Sequence, residues 1–140
     1  MLITKELSRN DLGLTGGHQA GILVPKNPQI LAFFPSLDSQ TKNPRTSLAF
    51  EDKPGHLWTF VFIYYNNAFF GGTRNEYRLT GMTRYLRESG LQPGDSVVLR
   101  RDGRLNYSVD YVRRARTVRE GENSLRLGGT WKIISINGTR

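Results

Sequence analysis

The chain contains no cysteine and only two histidines among its 140 residues. Disulfides and thiolate metal sites are thereby excluded, and His18 and His56 cannot build a zinc centre by themselves. Long apolar runs are missing too. Nothing approaches the roughly 20 residues of a membrane-spanning helix, and Met1-Leu2-Ile3-Thr4-Lys5-Glu6 lacks the charged-then-apolar layout of a signal peptide. A cytoplasmic protein or fragment with no membrane partner is expected. Internal repeats and low-complexity tracts are likewise absent, and the length suits one ordinary domain over residues 1–140.

Lysine is scarce where positive charge is most abundant. The formal net charge is +8, but residues 1–70 carry only +1 of it and residues 71–140 carry +7; thirteen of the fourteen basic residues in that second half are arginine. An anionic partner is implied. The arginine fork suits phosphate oxygens and guanine edges better than a lysine point charge, although an arginine-rich solvated surface has the same composition.

The apolar pattern is mostly that of strands. Ala20-Gly21-Ile22-Leu23-Val24 and the nearly continuous run from Leu57 to Tyr65 are rich in β-branched and aromatic residues. Ser96-Val97-Val98-Leu99-Arg100 leads into Asp102-Gly103, a hairpin signal, after which Leu105, Tyr107, Val109 and Tyr111 alternate with Arg104, Asn106, Ser108 and Asp110. Residues 131–136 read as a closing strand. Two short helices interrupt the pattern. Asn27-Pro28 is a cap and first-turn signature for about two turns ending at Pro35, and Met82, Tyr85 and Leu86 give a helical face between Thr80 and Ser89, with Gly90 as its terminator. About seven strands and two short helices predict a mainly β, semi-closed barrel, because an open sheet of that size would leave long edges to protect.

The densest polar segment is Gly71-Gly72-Thr73-Arg74-Asn75-Glu76-Tyr77-Arg78-Leu79-Thr80. If it is extended, Arg74, Glu76 and Arg78 share one face. In a DNA major groove such a row reads G·C pairs, arginine bonding guanine O6 and N7 and glutamate accepting from the cytosine amino group. In a solvated strand face, Glu76 simply bridges the two arginines. A second polar segment runs from Leu7 to Gln19 and holds Gly13, Gly16 and Gly17, a shaped loop on which Arg9, Asn10, His18 and Gln19 supply hydrogen-bonding groups. No Lys-Ser/Thr pair follows the glycines, so a nucleotide-binding loop is a poor fit and no cofactor is expected. His18 has no nucleophile in suitable company and as a lone loop histidine reads as a hydrogen-bonded structural group. The arginine run Arg100, Arg101, Arg104, Arg113, Arg114, Arg116 and Arg119 suits either phosphate contact or a solvated face, and Arg101 and Arg114 are expected to contact phosphates.

One enzymatic pattern is present. Asp38 with Glu51-Asp52-Lys53 matches the short Asp…Glu-x-Lys signature of Mg²⁺-dependent nucleases, which requires its carboxylates on adjacent supported strands. Here the tripeptide runs into the turn signal Pro54-Gly55 and Asp38 sits in a Ser/Asn/Pro-rich loop, so a chain without catalysis of its own is the preferred reading.

Two segments carry a family resemblance. Leu7-Ser8-x-Asn10-Asp11-x-Gly13-x-Thr15-Gly16-Gly17-His18-Gln19-x-Gly21, and Tyr64-Tyr65-Asn66 leading to Gly71-x-Thr73-Arg74-Asn75-Glu76-x-Arg78, resemble the N-terminal effector DNA-binding domain of EcoRII-type restriction endonucleases. That family uses the DNA-binding pseudobarrel also found in plant auxin-response transcription factors, and Tyr85-Leu86-x-x-x-Gly90-Leu91-x-Pro93-Gly94-Asp95-x-Val97 is similar to the plant branch. The resemblance implies double-stranded DNA as partner, gripped in the major groove by two arms. Arg9, Asn10, Asp11, Thr15, His18 and Gln19 would contact DNA from the first arm, residues 8–19. Thr73, Arg74, Asn75, Glu76, Tyr77 and Arg78 would do so from the second, residues 71–78. It also implies a short C/G-flanked target of the CC(A/T)GG kind and a nuclease domain or subunit outside these residues. A free-standing transcriptional regulator is the alternative. Gly72 and Tyr77 depart from the restriction-enzyme pattern, which has basic residues there, and Tyr77 is expected to pack or stack.

Overall fold

The computed structural model describes residues 1–15, 21–115 and 130–135. Among them are eight strands: β1 (Leu2–Glu6), β2 (Ile22–Val24), β3 (Arg45–Glu51), β4 (Leu57–Tyr65), β5 (Glu76–Thr80), β6 (Ser96–Arg101), β7 (Tyr107–Val112) and β8 (Trp131–Ser135). Helices α1 (Pro28–Leu31) and α2 (Thr83–Glu88) and a 3₁₀ turn at Asn67–Phe70 complete the set. The eight strands form one sheet in the order β2-β5-β4-β3-β7-β6-β1-β8. The pairing is antiparallel except between β3 and β7, which run parallel over Phe50↔Tyr107 and Glu51↔Ser108. The two edge strands are tied together by a side chain, Trp131 Nε1 donating to the Leu23 carbonyl at 3.0 Å. Mainly β architecture in a semi-closed pseudobarrel is therefore what the chain adopts, with one strand more than the sequence suggested.

The inward faces supply one core. Phe33, Phe50, Phe60, Phe62, Ile3, Leu79, Val97 and Leu99 are fully buried, each such side chain contributing roughly 1.5–3 kcal/mol relative to exposure. Both predicted helix signals operate. The Asn27 side chain accepts the amides of Gln29 and Ile30, and Gly90, at φ +66°, lets the Leu91 amide reach Leu86 O while its own reaches Arg87 O, a double C-terminal closure. The helices are shorter than expected: α1 has four residues, and α2 starts at Thr83 because β5 continues through Thr80.

The hairpin between β6 and β7 corrects one alternation. Asp102 and Gly103 do lie in its turn, but the left-handed position is taken by Leu105 at φ +62°, which is exposed and off the core face. The Asp102 carboxylate accepts the amides of Arg104 and Asn106, lengthening the loop before β7 begins at Tyr107.

Candidate nucleic-acid interface

The first polar segment is built by local hydrogen bonds. Ser8 Oγ accepts the Asp11 amide at 3.1 Å and the Asp11 carboxylate accepts the Ser8 amide at 2.9 Å, a reciprocal closure of one turn. The same carboxylate is 2.7 Å from Lys5 Nζ, with the two side chains only 7 % and 9 % exposed. Asp11 is therefore an anchor beneath the loop, occupied by Lys5. Arg9, Asn10 and Thr15 are exposed. Thr15 Oγ1 donates to Asn10 Oδ1 at 2.8 Å, and Gly13 turns the chain at φ +72°. His18 and Gln19, also expected on this arm, lie outside the described residues.

The second polar segment grows out of β4. The Asn67 side chain accepts the Arg74 amide at 2.7 Å, and the Ala68 amide donates to the Arg74 carbonyl at 2.9 Å, pinching residues 67–74 into a closed loop. Its exposed rim carries Thr73 and Asn75, and Asn75 accepts the Tyr64 hydroxyl at 2.7 Å. The Arg74 guanidinium lies 3.7 Å over the Tyr65 ring and donates to Glu76 at 2.9 Å. Tyr77 stacks between Tyr64 (4.2 Å) and Phe62 (5.5 Å), continuing an aromatic column down to Phe34. Burial, with Tyr64 alongside, raises the phenol pKa of Tyr77 and keeps it neutral.

Arg74, Glu76 and Arg78 do come together, but not as three presented readers. Glu76 bridges both arginines, and the Arg78 side chain is only 9 % exposed. Its Nη1 donates to the Gly21 carbonyl at 3.1 Å, at the start of β2. Desolvation alone would push the Glu76 carboxyl up; the hydrogen bonds and charges of the two arginines outweigh it and hold the group below the usual glutamate range. Gly21 cannot be anything larger, since it has φ +84° and an added β-carbon would sit 2.2 Å from Leu79 O.

Several arginines after residue 99 hold the protein's own backbone. Arg101 donates to Ala32 O (2.8 Å) and Phe33 O (3.0 Å), and Arg113 donates to Ser89 O and Gly90 O at the end of α2. The Arg114 guanidinium lies over Gly94 while its amide donates to Asp95. Arg101 is thus engaged with its own chain, whereas the buried Arg114 Nε has no hydrogen-bond partner among the described residues. Arg116 and Arg119 lie outside the described residues. Of the nuclease-like residues, Asp38 accepts from Gln40 and Thr41 and Lys53 lies 3.4 Å from Asp110, while Asp52, the variable position between Glu51 and Lys53, accepts from Gly55, His56 and Trp58.

Sequence reasoning missed Lys5, Asn67 and the platform role of Tyr65. The run Tyr64-Tyr65-Asn66-Asn67 after the most apolar strand was the available signal. Asn66, fully buried, holds the 39–43 loop by donating to Ser39 O and Thr41 O and accepting the Asn43 amide.

The chain is 41 % identical over 81 residues to the type II restriction enzyme EcoRII of Escherichia coli, covering 54 % of this chain and 19 % of the enzyme. It is 32 % identical over 99 residues to a B3 domain-containing protein of Oryza sativa subsp. japonica, covering 67 % of this chain and 29 % of the relative. It thus spans less than a third of either relative. Among solved structures it resembles the Arabidopsis FUS3–DNA complex, with a TM-score of 0.61, 25 % identity and coverage of 80 % of this chain and 96 % of that one. The fold also matches the N-terminal domain of Helicobacter pylori LlaJI.R1, with a TM-score of 0.52, 14 % identity and coverage of 96 % and 100 %. The family described as restriction endonuclease EcoRII, N-terminal, matches residues 1–99, and the chain belongs to it.

Proposed function

We propose that this domain binds double-stranded DNA sequence-specifically through the major groove and serves as the target-recognition domain of a type II restriction system, with cleavage carried out by a nuclease domain or subunit outside these residues. The observation that carries the reading is the hydrogen bond by which Arg78, at the second polar segment, holds the Gly21 carbonyl, two residues beyond the first segment in sequence, in a fold shared with a solved DNA complex. Arg9, Asn10 and Thr15 on the first arm and Thr73, Arg74 and Asn75 on the second are the exposed or half-exposed groups suited to touch DNA. His18 and Gln19 belong to the same proposal from the sequence. Asp11, Tyr77 and Arg78 support the arms from below, and Glu76 sets Arg74.

The resemblance to the EcoRII-type effector domain implies a short C/G-flanked site of the CC(A/T)GG kind, with which arginine toward guanine agrees. Selection of bound duplexes from a random pool tests this directly. Enrichment of one short site, with affinity falling steeply as salt rises, is the expected result. Equal affinity for all duplexes would refute the proposal. A free-standing regulator is the second reading, favoured by the similarity to the rice B3 protein and FUS3. A restriction system predicts a DNA methyltransferase encoded next to this chain, whereas a regulator predicts binding sites upstream of transcribed genes.

A further inference from the structure

Beneath part of the first arm the packing is open. A cleft of about 550 Å³ lies between its turn, at Asn10–Leu14, and α2, at Met82, Leu86 and Arg87. Leu12 packs against the core, so the arm is held there and at its ends. One end is held by the buried Lys5–Asp11 pair and by the Leu7 amide on Asp95 O. The other enters the sheet at Gly21, whose carbonyl receives Arg78 Nη1. Through Nε the same guanidinium grips Glu76, which in turn holds Arg74 of the second arm. One planar fork thus ties the start of β2, which follows the first arm, to the second arm, and its rigid donor geometry is what a lysine point charge lacks.

We infer that Arg78 is a positioning residue that sets the distance between the two arms, so that discrimination by both depends on a side chain that itself touches no DNA. The inference rests on the two-arm reading above, but part of its test needs no DNA. A buried arginine held by its own chain releases no counterion from a phosphate. Removing it should loosen what it links, in the free protein as in the complex.

The experiment compares the wild-type chain with Arg78→Lys, Glu76→Gln and Arg74→Ala. Amide hydrogen exchange without DNA is measured first. Arg78→Lys is expected to speed exchange at residues 8–15 and 21–24 as well as 74–76 by about tenfold, with core amides of β6 unchanged. Competition titrations over single-base variants of the selected site follow. Arg78→Lys is expected to reduce discrimination about tenfold at positions assigned to either arm, while leaving the salt slope as in wild type. Glu76→Gln should show the same pattern more weakly, and serves if Arg78→Lys fails to fold. Arg74→Ala should affect only the positions read by its own arm. The inference is overturned if exchange in the first arm is unaltered, if Arg78→Lys lowers the salt slope by about one contact, or if its losses coincide with those of Arg74→Ala. A wild-type chain with no preferred site would instead defeat the DNA reading, leaving the exchange result to decide the coupling alone.

Discussion

Asn67 Oδ1 accepts the Arg74 amide at 2.7 Å, and a β-carbon added to Gly72 would sit 2.6 Å from that same oxygen. The bond that closes the second arm thus requires that residue 72 have no side chain. Gly72 is not among the glycines in the left-handed region, so the constraint is steric.

Gly72→Ala must displace Asn67 or the loop backbone, and the Arg74 amide loses its acceptor. A loss of about 1–3 kcal/mol is expected in urea unfolding, and Asn67→Gly/Gly72→Ala should not regain it, because that pair of changes relieves the clash but removes the acceptor outright. If Gly72→Ala were as stable as wild type and bound the selected site equally well, the loop would be free to yield and the closure unimportant.

Lys5 and Asp11 form a buried pair beneath the first arm. Asp11→Ala leaves the ammonium without its carboxylate, and breaking such a pair costs about 3–5 kcal/mol. The lower end is expected here, because Lys5 keeps the Glu6 carbonyl as acceptor at 3.0 Å. Asp11→Asn, still able to accept the Ser8 amide, should lose less. Thermal unfolding of the two variants ranks them, and the reverse order would remove the ion pair from the account.

Arg101 caps the carbonyls of Ala32 and Phe33 with one nitrogen. Arg101→Ala is expected to cost about 1–3 kcal/mol of stability and to leave the salt dependence of DNA binding unchanged. A flatter salt dependence at full stability would restore the phosphate role suggested by the sequence.

These residues also show what was legible in advance. The nine-residue β4 announced itself by continuous apolarity, and the α2 terminus by Gly90, because those signals are local. β1 was not predicted, since its inward positions are Ile3 and Lys5, and a buried lysine breaks the apolar alternation. β3 escaped for a similar reason: only Leu48 and Phe50 of its seven residues are buried. In the second arm, the spacing placed Glu76 and Arg78 on one strand face and left open whether Glu76 bridges the arginines. The choice could not be made locally, because the acceptor that buries Arg78 is a carbonyl 57 residues away.

Glu76 gives the clasp a pH dependence. Its carboxyl titrates below its ordinary value of about 4.5, because the arginines favour the charged form despite partial burial. A depressed folded-state pKa means the stabilisation is fully present above the unfolded value and is lost as pH falls through the folded one. Stability should therefore be insensitive to Glu76 from neutrality down to about pH 5 and decline below the ordinary value. Glu76→Gln should remove that part of the acid dependence. Parallel acid-unfolding curves for wild type and Glu76→Gln would mean that the arginines do not favour the ionised form.

Arg74 is held on two sides, by Glu76 at 2.9 Å and by the Tyr65 ring at 3.7 Å. If it reads a base, both contacts act by restricting the guanidinium to one orientation before DNA arrives, so that less side-chain freedom is lost on binding. Arg74→Ala is expected to cost about 1–3 kcal/mol on the selected site and much less on random duplex. Tyr65→Leu keeps the apolar bulk and removes the π-face, and should cost about 0.5–1 kcal/mol on the selected site alone. The decisive quantity is the double variant. Because Tyr65 acts through Arg74, Arg74→Ala/Tyr65→Leu should lose no more than Arg74→Ala by itself, giving a coupling equal to the Tyr65 effect. Competition titrations of the four proteins against the selected site and one central G·C variant measure it. Additive losses would mean that Tyr65 meets the DNA independently, and a loss from Arg74→Ala that is uniform across all duplexes would make Arg74 a phosphate clamp.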